Sequence, residues 1–439
     1  MNKAPPHALC FGLLVVLIAT VPVLAISPGW LGPQLVTLAT AILLLLLPGA
    51  AEADLRRSVA ISRPLAIAAL APAAWMVLQI VPVPLGSVEH PVWRSAAAAM
   101  PDSISGHVSI DLGATMRALF GYLGLVALAF VTLVLTRNRD RAQTILFALC
   151  TVTTAIAVEL LLLGDFFWLK PGHWSDGSVD ALVALTAFGA ILNLAFIVRT
   201  MERHETRAWH EPKWQPAYFG MMLLGIFDTA ICLTALISTT TSDVLIALSF
   251  GAMVLGVVML IRRLGLGRWT SATVGAALLV ASGGVIALRF AANPSAAALF
   301  RFTKVEPAAA ASAMLHMLAD APWAGSGVGS YSALAAIYRD ASGIPGERPI
   351  NTVASMALEW GMIGLVIAAV LALQLLVVLL RGALSRGRDS FYAAGAAGCL
   401  VTAFCETFCD KAFTDTSVQT LTAIIVGLGL SQTRGRQAN

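Results

Sequence analysis

The side chains best suited to chemistry gather in one stretch, Pro294 to Gly364. It holds the cations Arg301, Lys304, Arg339 and Arg348 and the proton acceptors His316, Glu347 and Glu359. A guanidinium fork binds two phosphate-type oxygens at once, and a lysine adds a compact point charge. A carboxylate or imidazole within hydrogen-bond reach of a hydroxyl can take up its proton. Such a set could serve an anionic group held by the cations and a hydroxyl activated by an acceptor. A plainer reading competes at each position: the loop charges and Glu347 are solvated or touch lipid headgroups, and His316 is structural. Glu359 differs, because it lies inside an apolar run, where a carboxylate is costly and faces a partner or a wet cavity.

The elements that must position these groups are membrane spans. The 439 residues are 58% hydrophobic and only 12% charged, with a mean hydropathy of +0.83. A soluble core of that size would not need so apolar a surface, so the expectation is an all-α polytopic membrane protein. Apolar windows of spanning length fall near 9–26, 31–50, 63–82, 115–136, 142–163, 180–199, 217–238, 243–261, 270–290, 351–380, 390–409 and 417–432. That predicts about twelve transmembrane helices. None of the windows shows the alternation of a barrel strand. The first window follows Lys3 and is read as a retained span rather than a cleaved signal.

Three regions follow: spans 1–290, a loop 291–350 with short amphipathic helices, and spans plus tail 351–439. The loop, about sixty residues long, is twice the length of the next connection, near 83–114. Arg and Lys cluster at every second loop, as at Arg56, Arg57 and Arg63, at Arg137, Arg139 and Arg141, and at Arg262, Arg263 and Arg268. By the positive-inside rule both termini are then cytoplasmic and the long loop faces outward. In a Gram-negative cell that is the periplasm, which has no ATP or nucleotide sugars.

Placement outside disposes of one tempting motif. Gly325-Ser-Gly-Val-Gly329 looks like a phosphate-cradling loop, but no strand precedes it and no nucleotide is present there. The glycines instead let a short helix near 308–321 turn tightly and pack its backbone on the membrane helices, with Pro322-Trp323 as an interfacial anchor. The basic residues form no stripe with interleaved aromatics, which excludes nucleic acid as a partner. The six cysteines lie almost wholly in apolar runs and read as small buried hydrophobes. Glu159, Asp228 and Glu406 are further intramembrane acids, and Glu406 and Asp410 share a helical face, as do Cys405 and Cys409.

From Phe300 to Leu371 the chain resembles the O-antigen ligase and polymerase superfamily of bacterial membrane glycosyltransferases. The resemblance rests on Pro322-Trp323 with Gly325, Gly327, Gly329 and Tyr331, then Tyr338-Arg339, then Asn351, nine residues, and Gly361-Met-Ile-Gly364. The ligase pattern is His, then Asn, Ser or Gln, nine residues, and Gly-x-x-Gly, so three of its four fixed positions are met. Ser109-Ile-Asp111 to Thr115-Met-Arg117 and Cys409-Asp410-Lys-Ala-Phe413 are similar to further family segments. Ile350 stands where the family has its histidine, and Ser242-Asp243 where many relatives have Ser-Arg.

The resemblance implies a C-type glycosyltransferase fold in the bacterial inner membrane. It implies transfer or polymerisation of an undecaprenyl-diphosphate-linked glycan in the periplasm, onto a glycan or lipid A-core acceptor, for lipopolysaccharide or exopolysaccharide. No metal, nucleotide or other cofactor is implied. Arg301, Lys304, Arg339, Arg348, Asn351 and Tyr338 would bind substrate, and Glu359, Glu347 or His316 would replace the missing histidine. Two alternatives stand beside it: an inactive relative that binds lipid-linked glycan or scaffolds an export complex, and a proton-coupled transporter.

Overall fold

The computed structural model describes residues 6–26, 31–47, 52–84, 88–100, 105–165, 176–208, 216–239, 242–264, 308–338, 349–384 and 390–433. Among them the chain is helical, apart from one isolated antiparallel bridge between Val83 and Gly106. The helices are α1 (Pro6–Ile26), α2 (Leu31–Leu46), α3 (Glu52–Ile80), α4 (Pro91–Ala99) and α5 (Leu112–Leu135). Next come α6 (Arg139–Asp165), α7 (Asp176–Ala208), α8 (Pro216–Thr239), α9 (Ser242–Arg263) and α10 (Ala308–Asp320). Last are α11 (Tyr331–Ile337), α12 (Thr352–Leu384), α13 (Ser390–Glu406) and α14 (Thr416–Ser431).

Eight of these are long and apolar enough to cross a membrane, and α2, α13 and α14 are shorter apolar helices. They occupy eleven of the twelve expected windows; the window 270–290 lies outside the described residues. Helices are what such segments must form, since lipid offers no partner for a free N–H or C=O. The ends are closed by short polar side chains. Asp111 Oδ1 accepts from Ala114 N at 2.9 Å at the start of α5. Asn351 Oδ1 accepts from Ala354 N at 2.8 Å at the start of α12, and Asp415 Oδ1 from Ser417 N at 2.8 Å before α14.

Helix α7 is the central element: every residue from Asp180 to Asn193 is buried. It packs against α6, α8, α9 and α13, while α14 lies along α5 and α12 lies between α13 and α3. The main core is aliphatic and small-residue packing, for example Leu128, Leu149, Leu185, Phe188, Ile191 and Leu421. A separate small core joins the extramembrane helices to α12, with Met314 and Met317 of α10, Tyr331 and Leu334 of α11, and Ile350, Ala354 and Leu358. The six cysteines are free thiols.

Candidate functional site: a broken helix closed by a glycine loop

Helix α12 is interrupted near its start, where Gly361 takes φ 67° and ψ −175°. That reversal deprives the carbonyls just before it of their partners one turn on, inside a segment where an unpaired backbone group costs several kcal/mol. The loop after α10 supplies the replacements. Ser326 N donates to Leu358 O at 2.9 Å and Gly327 N to Glu359 O at 3.0 Å. Going the other way, Met362 N donates to Trp323 O at 3.1 Å. Two side chains of α3 complete the set: Trp75 Nε1 reaches Trp360 O at 2.9 Å, and Gln79 Nε2 reaches Glu359 O at 3.0 Å.

The glycines make this approach possible. Gly325 has φ 81° and lies backbone to backbone on Gly361, so a Cβ on Gly361 would fall 2.5 Å from Gly325 N. The segment that looked like a phosphate cradle thus spends its N–H groups on a helix break. Gln79, fully buried, also donates to Ala324 O at 3.1 Å and accepts from Val328 N at 3.2 Å. Ile110 N donates to Ser326 O at 2.9 Å and Ser109 N to Gln79 O at 3.0 Å. Helices α3 and α12 and the segment that leads into α5 therefore grip one loop.

Glu359 is the ionisable group at this junction. Its Oε1 accepts from Tyr331 N at 2.9 Å, and its carboxylate also lies against the Gly329 amide. A carboxylate held by backbone amides is oriented yet keeps lone pairs for a hydroxyl. Asn351 is fully buried; besides capping α12 it donates through Nδ2 to Phe408 O at 3.3 Å. Tyr338 closes α11, and its hydroxyl donates to Asp320 Oδ2 at 2.8 Å. Burial, then the Asp320 carboxylate, pushes that hydroxyl up to about 12. His316 is exposed on α10, away from the small core that Met314 and Met317 enter. Arg301, Lys304, Arg339, Glu347 and Arg348 lie outside the described residues.

The structure thus brings Glu359, Tyr331, the glycine loop and Gly361 together and anchors Asn351 two turns away. Sequence reasoning missed Gln79 and Trp75; a lone glutamine in an apolar span was the available signal. At the outer end of α13, Glu406 is fully buried, and Asp410 caps the following turn through Ala412 N at 2.9 Å. Cys409 Sγ donates to Cys405 O at 3.5 Å, and among the described residues no three His, Cys, Asp or Glu side chains are arranged to hold a metal ion. No family model matches the chain, and no curated protein matches it.

Proposed function

We propose that this protein is an O-antigen ligase/polymerase-like glycosyltransferase of the bacterial inner membrane. It transfers or polymerises glycan from undecaprenyl diphosphate at the periplasmic face, without a metal or nucleotide. One observation carries the reading: Gly325, Gly327, Gly329, Tyr331 and Gly361 of the family-like pattern meet at the break in α12 around the carboxylate of Glu359.

In an inverting transfer the acceptor oxygen attacks the anomeric carbon as the sugar–phosphate bond breaks. The lipid diphosphate leaves with the bonding pair, and the acceptor proton passes to Glu359. Arg301, Lys304, Arg339 and Arg348 are assigned to the diphosphate, whose charge grows in the transition state. Loss of a group that takes the proton costs about 10²–10⁴ in rate. Glu359→Gln keeps an oxygen for the Tyr331 amide, so folded protein with that loss of product formation is the expected result. A Glu359→Gln protein with wild-type turnover on lipid-linked glycan would remove Glu359 from the reaction.

A second reading is favoured by Ile350, buried with Met314, Met317 and Leu358 where the family has histidine. On that reading the protein is a silent relative that binds lipid-linked glycan. Purified protein that binds the glycan without lengthening or transferring it would establish this and sink the transferase. The surface-glycan profile of a deletion strain separates chain-length, capping and null effects.

A further inference from the structure

Asp228 stands midway along α8, roughly 18 Å from Pro216 at the helical rise per residue. It lies partly buried on the flank of the helix, one turn before the fully buried Cys232. It makes no hydrogen bond or ion pair among the described residues. Its neighbour Thr229 is spent on Gly225 O at 2.7 Å. Behind it, on α7, Asn193 is fully buried. One end of that amide meets Thr154 Oγ1 of α6 at 3.2 Å and Cys232 Sγ at 3.9 Å, and the other end has no partner. This layer of the bundle therefore holds more hydrogen-bonding capacity than its own helices use.

The rest of the outer side of α8 is a lipid-type surface, with Leu223 65%, Phe227 64% and Ile237 68% exposed. A carboxyl beside such a surface at mid-bilayer is costly and finds a partner carrying the opposite charge. Another copy of this chain has no such group to offer. Within the chain's own apolar windows the basic residues Arg63, Arg117, Arg199 and Arg289 stand at the ends, and none lies at mid-span.

We infer that the exposed face of α8 at Asp228 docks the transmembrane helix of a partner protein that carries Lys or Arg at mid-span. The inference is independent of the glycan reading, and its test contains no glycan. The protein is reconstituted in nanodiscs with labelled single-span Leu/Ala peptides that differ only at the centre, Lys or Leu, and association is read by energy transfer. The Lys peptide is expected to bind about tenfold tighter, the scale of one interhelical polar contact. Asp228→Leu should abolish the preference, and Asp228→Asn, which keeps the shape of the side chain, should reduce it in a protein that elutes like wild type. Equal binding of the two peptides, or a preference that survives both substitutions, overturns the proposal. Self-association of the wild type that is lost in Asp228→Asn overturns it too, by assigning the face to a second copy.

Discussion

Gly325 and Gly361 show how much one hydrogen atom in place of a side chain can decide. Each has a positive φ, and each would drive a Cβ into the backbone of the other's segment. Left-handed backbone at a non-glycine residue costs about 1–2 kcal/mol, and the clash adds to it. Gly361→Ala is therefore expected to lower the thermal midpoint in detergent, read by tryptophan fluorescence, by several degrees. Gly12→Ala, where nothing lies within 4 Å, should leave it within error. At this scale the sequence marked Gly325, Gly327 and Gly329 as tight-turn residues, and Gly361 only as part of the family-like pattern. It could not say that their carbonyl and amide partners sit on a helix break, because that needs both segments in space.

Among the elements, the loop before α11 is held by the broken end of α12 and by Gln79 of α3. Gln79 supplies one buried donor contact and one buried acceptor contact to it, at Ala324 O and Val328 N, and a further donor contact to Glu359 O of α12. Gln79→Leu leaves Ala324 O and Val328 N without that partner at about 1–3 kcal/mol each, and the expected outcome is faster cleavage near Trp323 in limited proteolysis of proteoliposomes. The connection between α3 and α5 carries a pH dependence of its own. His90 caps α4 with Nδ1 accepting from Val92 N at 3.4 Å, and burial lowers its proton affinity. Its described charged and titratable surroundings are Glu89, paired to Arg94 at 3.0 Å, and His107, whose backbone carbonyl accepts from His90 N at 2.8 Å. With the folded pKa below the unfolded value of about 6.5, the stabilisation is complete above that pH and is lost as pH falls below it. Hydrogen-exchange protection in 88–100 and 105–109, corrected for the intrinsic rate at each pH, should therefore fall from pH 7.5 to 5. His90→Asn, a cap that does not titrate, should flatten the change.

For the whole molecule, the alternation of arginine clusters predicts α10 and α11 on the outer side of the membrane. His316→Cys, on the exposed face of α10, should then react with a membrane-impermeant maleimide applied from outside. Labelling only after the inner leaflet is opened would reverse the topology and remove the periplasmic reading with it.

The sequence alone determined where the apolar helices fall, because hydropathy over some twenty residues is a local property of the chain, independent of its neighbours in space. Eleven described helices accordingly lie where their apolar windows fall. It also marked Glu359 and Asp228 as costly carboxyls, since burial in lipid depends on the run around them. Only the tertiary structure decided what they face. Glu359 meets the amide of Tyr331, Asn351 is turned inward as a cap, and Gln79 becomes the clamp of the loop. Those outcomes depend on which carbonyls a kink in α12 leaves open, and a kink is satisfied by whatever chain folds against it.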